Sequence, residues 1–216
     1  MKEIYALGIG HNTPVLLDMA ICCGYNIAGL FHYNDERTGE NVHGHVIQGS
    51  FEDLFKKQDL SGMNFLLTMG DLDLRESLYR KIKMMGGNIP TLIHPTAVIS
   101  SFATVSENGV CIFPFTFVQA DSVIGENTVI LSHVNISHNT TISPNCFIAG
   151  AAVVGAYTLV EEHVFIGQGA LTISGKADVI GNHSYIGARA LVTKPVLPYT
   201  VVAGSPAKVI KEIKRQ

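Results

Sequence analysis

The sequence is poor in charge and in long apolar runs, and each shortage excludes a class of protein. Only 15% of its 216 residues are charged, and the formal net charge is -3 with a pI near 6.3. Such a chain lacks the basic surface that attracts a phosphate backbone, so we expect no nucleic-acid partner. No run of about 18 consecutive apolar residues occurs, which predicts that the chain does not enter a membrane.

Cysteine is also scarce, and a secretion signal is not recognisable. The four cysteines, at positions 22, 23, 111 and 146, show no metal-ligand spacing, so we expect buried thiols and no metal. The N-terminus enters an apolar strand-like run without a basic region followed by a long apolar segment. These features predict a soluble cytoplasmic protein.

What the sequence does contain is a six-residue repeat between residues 112 and 170. An aliphatic residue returns at every sixth position, and a small residue usually occupies the fifth position of each step. A period of six fits neither a helix nor a simple hairpin, but it fits a chain that turns a corner after each short strand. The aliphatic positions are Ile112, Val118, Ile124, Ile130, Ile136, Ile142, Ile148, Val154, Val160 and Ile166.

The repeat predicts a parallel β-helix of three-sided coils, each of about 18 residues. Residues 92–99 begin it, and one extra residue precedes Ile112. Beyond Ile166 the phase slips by one residue twice, first to Ile173 and then to Ile180, and we expect a bulged corner at each slip.

The residues before the repeat predict a small parallel sheet with helices. Apolar runs at 3–8, 27–31 and 65–69 are typical of strands, while 14–23 and 72–85 are typical of helices. This alternation indicates βαβ topology. A break at residues 86–90 then predicts two domains, 1–88 and 89–216, and Ser205 with Pro206 predicts a short C-terminal helix.

A ligand site is expected beyond the carboxyl ends of the predicted parallel strands. Backbone N–H groups of Gly10 and His11 would meet a phosphate at the start of the first helix. The full glycine-rich dinucleotide signature is absent, so an ordinary tight turn is an equal alternative. The residues expected to converge there are Gly8, Gly10, His11, Asn34, Asp35 and Gly70.

Three histidines of the repeat occupy positions that are neither the inward aliphatic slot nor the small corner slot. His133, His138 and His163 are therefore expected on the outer surface. A shift of one coil places Ala120 and Ala156 on either side of His138, which leaves open space around an imidazole. Such a groove suits a general base beside a slender substrate, although an exposed histidine is often only surface.

The whole chain resembles the bacterial sugar O- and N-acyltransferases of the sialic-acid and bacillosamine type. The resemblance rests on the continuous hexapeptide repeat, the segment at 136–142, the tail at 202–208, the His94-Pro95 junction and the preceding βαβ region. It implies an α/β N-terminal domain with a small parallel sheet that binds a sugar nucleotide, followed by a left-handed parallel β-helix and a short C-terminal helix. It also implies acetyl transfer from acetyl-CoA to a sugar amine or hydroxyl.

The resemblance assigns roles to residues of the repeat. His138 matches the family's catalytic histidine, and a backbone N–H around Gly155 would stabilise the oxyanion. Asn139 stands where the family usually has Asp or Glu, so it can orient the ring but supplies no charge. Ser132 and Asn135 are the nearest candidates for the family's upstream asparagine, which contacts the sugar amine.

In the family, acetyl-CoA lies in a groove between two β-helices of a homotrimer, so the active sites would form between subunits. The preferred interpretation is an acetyl-CoA-dependent N-acetyltransferase for a nucleotide-linked amino sugar, with a part in polysaccharide biosynthesis. The alternatives are a sugar O-acetyltransferase and a non-catalytic trimer that binds sugar nucleotides. Positions that face the groove by analogy are Gly155, Ala170, Gly187, Ala188, Ala203, Gly204 and Ser205.

Overall fold

A computed structural model describes residues 2–214 of the chain. The chain divides into two compact units, and the boundary in the sequence falls between Leu92 and Ile93. The predicted domain division after residue 88 lies shortly before this boundary; residues 1, 215 and 216, at the outer ends of the predicted domains, lie outside the described residues. Among residues 2–214, no helix combines the length and the hydrophobicity needed to cross a membrane.

The first unit contains a five-stranded sheet and three helices. The sheet order is β3-β4-β2-β1-β5, and all neighbours are parallel except the hairpin of β3 and β4. The predicted βαβ alternation is present, with element ends within a few residues of those expected. The elements are β1 (Lys2–Leu7), α1 (Thr13–Cys22), β2 (Tyr25–His32), a 3-10 turn (Asp35–Arg37), β3 (Asn41–Val42), β4 (His45–Ser50), α2 (Phe51–Phe55), β5 (Phe65–Leu67) and α3 (Leu72–Met84).

Hydrogen bonds at the helix starts explain where α2 and α3 begin. Ser50 and Asp53 form a capping box at α2, in which each side chain accepts the other's backbone N–H. Asp71 caps α3 by accepting the Leu74 N–H at 3.0 Å. Strands β3 and β4 and helix α2 had no counterpart in the sequence prediction.

The second unit is a left-handed parallel β-helix in which β6 to β22 are strands of two residues and the last two strands are longer. Its strands are β6 (Leu92–Ile93), β7 (Val98–Ile99), β8 (Thr104–Val105), β9 (Cys111–Ile112), β10 (Phe117–Val118), β11 (Val123–Ile124), β12 (Val129–Ile130), β13 (Asn135–Ile136), β14 (Thr141–Ile142), β15 (Phe147–Ile148), β16 (Val153–Val154), β17 (Leu159–Val160), β18 (Phe165–Ile166), β19 (Leu171–Thr172), β20 (Val179–Ile180), β21 (Tyr185–Ile186), β22 (Leu191–Val192), β23 (Thr200–Ala203) and β24 (Lys208–Glu212). They form three sheets of six, five and eight strands, one on each side of the coil.

The 18-residue coil is confirmed by the pairing of the strands. Ile136 lies between Val118 and Val154, and Ile142 lies between Ile124 and Val160. All of these side chains are at most 1% exposed and form one continuous apolar core. Each buried aliphatic side chain contributes about 1.5–3 kcal/mol through removal of apolar area from water.

The corners of the coil require a left-handed backbone at the fourth residue of each step. Asn127, Asn139 and Asn145 have φ values of 55°, 54° and 61°, and aspartate, histidine and glycine recur at equivalent positions. These residue types tolerate the left-handed region better than most others. The fourth position is therefore a second structural requirement of the repeat, beside the inward aliphatic residue.

The predicted slips after Ile166 are wrong in detail. Thr172, not Ile173, occupies the next inward slot, where it is 1% exposed and its neighbour Leu171 pairs with Val153. Leu159 then pairs with Val179, 20 residues on, whereas Thr141 pairs with Leu159, 18 residues on. A single two-residue insertion therefore replaces the two expected bulges. The aliphatic pattern assigns the core position to Ile173, whereas the structure places the hydroxyl residue Thr172 there.

The predicted C-terminal helix is also wrong. Residues 208–212 form β24, which pairs antiparallel with β23, and residues 204–207 form the turn between these strands. Adjacent β-branched residues, Val209 and Ile210, favour an extended strand. The strand covers the edge of β23 at the end of its sheet.

The prediction of buried thiols holds for two of the four cysteines. Cys111 and Cys146 are buried, whereas Cys22 is exposed and Cys23 is half-buried because both lie at the end of α1. The Cys146 thiol donates to the Glu161 carbonyl oxygen at 3.1 Å. Burial raises the pKa of Cys146 to about 12, so this thiol is protonated and structural.

Candidate active site

His138 lies at an exposed corner of the β-helix, between β13 and β14. Its Nδ1 atom lies 2.8 Å from the Asn139 side-chain oxygen. Because an amide oxygen can only accept, Nδ1 carries the proton and the lone pair of the neutral ring is on Nε2. The corner therefore presents a basic nitrogen outward, in the arrangement that a general base requires.

A second hydrogen-bond chain supports the backbone of His138 from the coil below. The His138 N–H donates to the Gln119 Oε1 atom at 3.2 Å, and the Gln119 Nε2 atom donates to the Asn135 side-chain oxygen at 3.0 Å. Asn135, one of the two candidates for a sugar contact, is thus joined to His138 through Gln119. The sequence prediction had no role for Gln119.

An aromatic residue occupies space that the sequence predicted to be open. The Tyr157 ring meets the His138 ring edge to face, with centroids 5.3 Å apart, and the tyrosine is 63% exposed. Ala120 and Ala156 do lie in the neighbouring coils at the register of His138, and Ala156 is buried. Tyr157 follows Ala156 and turns its ring over the corner, so one side of the imidazole is covered.

The expected oxyanion donor at Gly155 is already engaged. Its N–H donates to the buried Thr172 hydroxyl at 2.8 Å, and its Cα packs so closely on the next coil that an added Cβ would lie 2.5 Å from the Thr172 carbonyl oxygen. The strand register also places Ala156, rather than Gly155, beside His138. Gly155 is therefore a packing glycine, and the sequence prediction of its role is corrected on both grounds.

The residues expected to face an acetyl-CoA groove differ in their exposure. Ala170 is 1% exposed and packs in the apolar core, so its side chain cannot line a groove. Ala188, Gly204 and Ser205 are exposed, while Gly187 and Ala203 are half-buried and touch each other across adjacent coils. A Cβ at Gly187 would lie 2.9 Å from that of Ala203, so the small residues here also serve coil packing.

The other two corner histidines have different surroundings. His133 is exposed and lines a cavity of about 560 Å³ together with Ser132 and Arg189. Asn135, the other candidate for a sugar contact, is not among the residues that line this cavity. His163 was expected on the surface but is 8% exposed, because its ring stacks on His183 at 4.6 Å.

The first unit contains a cavity of about 340 Å³ at the carboxyl ends of β1 and β5. Four of the six predicted ligand residues, namely Gly8, Gly10, His11 and Gly70, line it. The further lining residues are Ile9, Asn12, Tyr33, Phe51, Thr68, Met69, Asp71 and Leu74.

The backbone of the glycine turn is held by two threonine hydroxyls. The Thr13 hydroxyl donates to the Gly8 carbonyl oxygen and accepts the Gly10 N–H, both at 2.9 Å, and the Thr68 hydroxyl also bonds the Gly8 carbonyl oxygen. Gly8 has a φ of 92°, which favours glycine. The predicted phosphate contact of the Gly10 N–H is therefore not available in this conformation.

Asn34 and Asp35 follow the end of β2, as predicted, but they are not among the residues that line the cavity. The Asn34 side-chain oxygen lies 3.0 Å from the His32 Nδ1 atom instead. Tyr33 is an exposed aromatic residue at this end of the sheet: it is 65% exposed, and its ring packs on His32 with the centroids 4.2 Å apart. A planar ring of this kind suits stacking with a nucleobase.

Comparison with solved structures finds the same two-unit fold over nearly the full chain. A variant of GDP-perosamine N-acetyltransferase from Caulobacter crescentus, solved with CoA and GDP-perosamine, is 25% identical, with a TM-score of 0.88 and 97% of each chain covered. The acetyltransferase domain of PglB from Neisseria gonorrhoeae, solved with acetyl coenzyme A, is 23% identical, with a TM-score of 0.86, and the match covers 97% of this chain and 99% of that one.

Sequence comparison finds shorter matches to other acyltransferases. Acyl-[acyl-carrier-protein]--UDP-N-acetylglucosamine O-acyltransferase of Nautilia profundicola is 32% identical over 85 residues, which are 39% of this chain and 32% of the relative. Serine acetyltransferase of Mycobacterium tuberculosis is 34% identical over 118 residues, 55% of this chain and 44% of the relative. The chain thus spans less than half the length of these relatives, and no protein-family model matches it. The solved structures and the relatives together confirm the resemblance to sugar acyltransferases of the hexapeptide-repeat type.

Proposed function

We propose that this protein transfers an acetyl group from acetyl-CoA, a substrate here, to the amino group of a nucleotide-linked amino sugar. The observation that carries the proposal is the exposed His138 ring, whose Nδ1 atom is held by Asn139 at 2.8 Å. A full-length structural neighbour that carries CoA and GDP-perosamine supports the same pair of substrates.

In this reaction His138 moves a proton. The acceptor nitrogen attacks the thioester carbonyl carbon and forms a C–N bond, while Nε2 takes the proton that the nitrogen loses. The intermediate then collapses, the C–S bond breaks, and the departing CoA thiolate receives the proton from the imidazolium. Asn139 keeps the ring in the required tautomer throughout, because its amide oxygen can only accept from Nδ1–H.

The first unit would hold the nucleotide. Its cavity lies at the carboxyl ends of parallel strands, the usual place for a ligand in such a sheet, and Tyr33 offers a stacking surface. The Gly10 N–H would reach a phosphate only if the Thr13 hydroxyl turned away from it. Asp71, which caps α3 and lines the cavity, provides a carboxylate acceptor for ribose or base groups.

An assembly of three copies would complete the acetyl-CoA groove. One outer face of the β-helix carries Val98 and Phe117 on adjacent strands, at 58% and 43% exposure, and Leu171 at 37% exposure further along the same column, with Asn135 and Val153 between them. Exposed apolar side chains grouped on one face mark interaction sites. Ala188, Gly204 and Ser205 are exposed small residues that would let a slender substrate approach the backbone. The proposed setting is polysaccharide biosynthesis in the cytoplasm.

The experiment that tests the proposal is a screen of UDP-, dTDP- and GDP-linked amino sugars with acetyl-CoA, in which release of free thiol is measured. Each active amino sugar is compared with its hydroxyl analogue, which separates N-acetylation from O-acetylation. His138→Ala should lower kcat by about 10²- to 10⁴-fold. His133→Ala is the matched control, since it removes an exposed histidine from another corner, and it should leave kcat unchanged.

Two results would refute the proposal. Thiol release that is unchanged in His138→Ala would remove the assigned base. Absence of transfer to every amino-sugar nucleotide, together with tight binding of one of them in calorimetry, would instead favour the non-catalytic sugar-nucleotide-binding protein.

A further inference from the structure

Ser174 lies two coils from His138, and its hydroxyl reaches back to the intervening coil at Ala156. The Ala156 N–H, which lies in that coil, donates to the Ser174 hydroxyl oxygen at 2.9 Å. Ala156 is 5% exposed, whereas Ser174 is exposed. The hydroxyl is therefore the solvent-facing end of this pair, and the N–H itself points at it.

The position of Ser174 is fixed by the two-residue insertion. The insertion folds into a turn in which the Lys176 and Ala177 N–H groups both donate to the Ile173 carbonyl oxygen, at 3.1 Å and 3.0 Å. The Ser174 backbone also packs directly on Gly155, where an added Cβ would lie 2.6 Å from the Ser174 nitrogen. The turn and this close contact hold the Ser174 backbone against the neighbouring coil.

A serine hydroxyl can accept one hydrogen bond and donate another. Toward Ala156 it accepts, so its own hydrogen is directed elsewhere. Ser174 and His138 are both exposed, in the coils on either side of Ala156. An amide N–H that donates to a hydroxyl polarises it and strengthens the hydrogen bond that the hydroxyl gives. The pair can therefore act as one extended donor.

We propose that the Ser174 hydroxyl, polarised by the Ala156 N–H, donates the hydrogen bond that stabilises the oxyanion during acetyl transfer. This inference rests on the proposed function. When the acceptor nitrogen forms its bond to the thioester carbon, negative charge develops on the carbonyl oxygen, and the hydroxyl hydrogen faces it without being transferred. Collapse of the intermediate restores the C=O bond and expels the thiolate, while the proton follows the route through His138.

Ser174→Ala tests the proposal against the simpler alternative, in which the serine only accepts the hydrogen bond of the Ala156 N–H and has no part in catalysis. A donor used only in the transition state changes kcat and leaves KM alone, so kcat should fall about tenfold to a hundredfold with KM for acetyl-CoA within about twofold. Ser174→Thr keeps a hydroxyl and should retain kcat within about threefold of wild type. Ser100→Ala is the control, because Ser100 also accepts a backbone N–H of the β-helix, that of Phe102 at 3.2 Å, and it should not change either constant.

The outcomes distinguish a failure of the role of Ser174 from a failure of the proposed acetyltransferase function. An active wild type with unchanged or faster Ser174→Ala, especially with a lower KM, would overturn the role of Ser174 and leave the acetyltransferase intact. An equal loss in Ser174→Ala and Ser100→Ala would assign the effect to the fold and would also overturn it. A wild type that transfers no acetyl group to any acceptor would overturn the proposed function, and the role of Ser174 with it.

Discussion

The His138 Nδ1 atom lies 2.8 Å from the side-chain oxygen of Asn139, and Asn139 itself has a left-handed backbone with φ of 54°. One residue thus meets two requirements, since asparagine tolerates the left-handed corner and its amide oxygen fixes the imidazole tautomer. What it lacks is charge. A carboxylate in its place would hold the same proton and would also stabilise the imidazolium.

Asn139→Asp is therefore expected to move the acidic limb of the pH–rate profile upward. A neighbouring carboxylate favours the charged ring, so a higher pH is needed to leave Nε2 unprotonated, and we expect a shift of about one pH unit. The backbone should be unaffected, because Asp121 already adopts a φ of 58° at the equivalent corner one coil below. The measurement is kcat/KM against pH, with Asp121→Asn as the control for a change of charge. An acidic limb that stays in place would show that Asn139 does not govern the protonation of His138.

Tyr157→Asn is expected to lower kcat/KM about threefold to tenfold. This factor corresponds to the free energy of one aromatic contact with the His138 ring. Stability should change by about 1 kcal/mol or less, because asparagine relieves the cost of a bulky residue at φ of 60° while the ring contact is lost. Phe115→Asn is the matched control: Phe115 has the same φ of 60° and lies 5.1 Å from the His133 ring. Equal activity losses in the two variants would assign the effect to the fold and not to His138.

The β-helix could be predicted from the sequence because its contacts repeat. Residues 18 apart pair with each other, so Ile136 and Val154 obey the same steric rule at neighbouring coils. The corner rule is equally visible in the sequence, since Asn127, His133 and Asn139 share the fourth position of the step. A positive φ at that position favours asparagine whether or not the residue has a catalytic role.

The hydrogen bonds of the site could not be predicted in the same way. The Gly155 and Ala156 N–H groups donate to Thr172 and Ser174 in the next coil, where the repeat changes its length. Whether these N–H groups are available to a ligand therefore depends on the two hydroxyl residues. A pattern of aliphatic residues favours Ile173 over Thr172 at the core position, and only the buried bond to Gly155 makes the threonine acceptable there. The ring of Tyr157 likewise reaches His138 from a neighbouring coil.

Thr172→Val is expected to destabilise the β-helix by about 1–3 kcal/mol, although it makes the core more apolar. The substitution removes the acceptor of the buried Gly155 N–H, which the surrounding coil then leaves unsatisfied. Thr172→Ser keeps the hydroxyl and removes only a methyl group, so it should lose about 1 kcal/mol. Urea unfolding of both variants gives the comparison. A valine variant at least as stable as wild type would mean that the hydroxyl contributes nothing to the coil.

Asp53 should make the first unit more stable at neutral pH than in acid. Its pKa is held well below the ordinary value, first by the Lys56 ammonium and then by the Ser50 backbone and hydroxyl. Because the carboxylate is favoured in the folded state, its contribution is complete above the unfolded pKa of about 3.9 and is lost as the pH falls through the folded value. The difference in unfolding midpoint between wild type and Asp53→Asn should therefore be largest at pH of about 6 and should shrink toward pH of about 2. Asp18→Asn, which removes an exposed carboxylate from α1, is the control; an equal pH dependence in both variants would show that the capping box is not the cause.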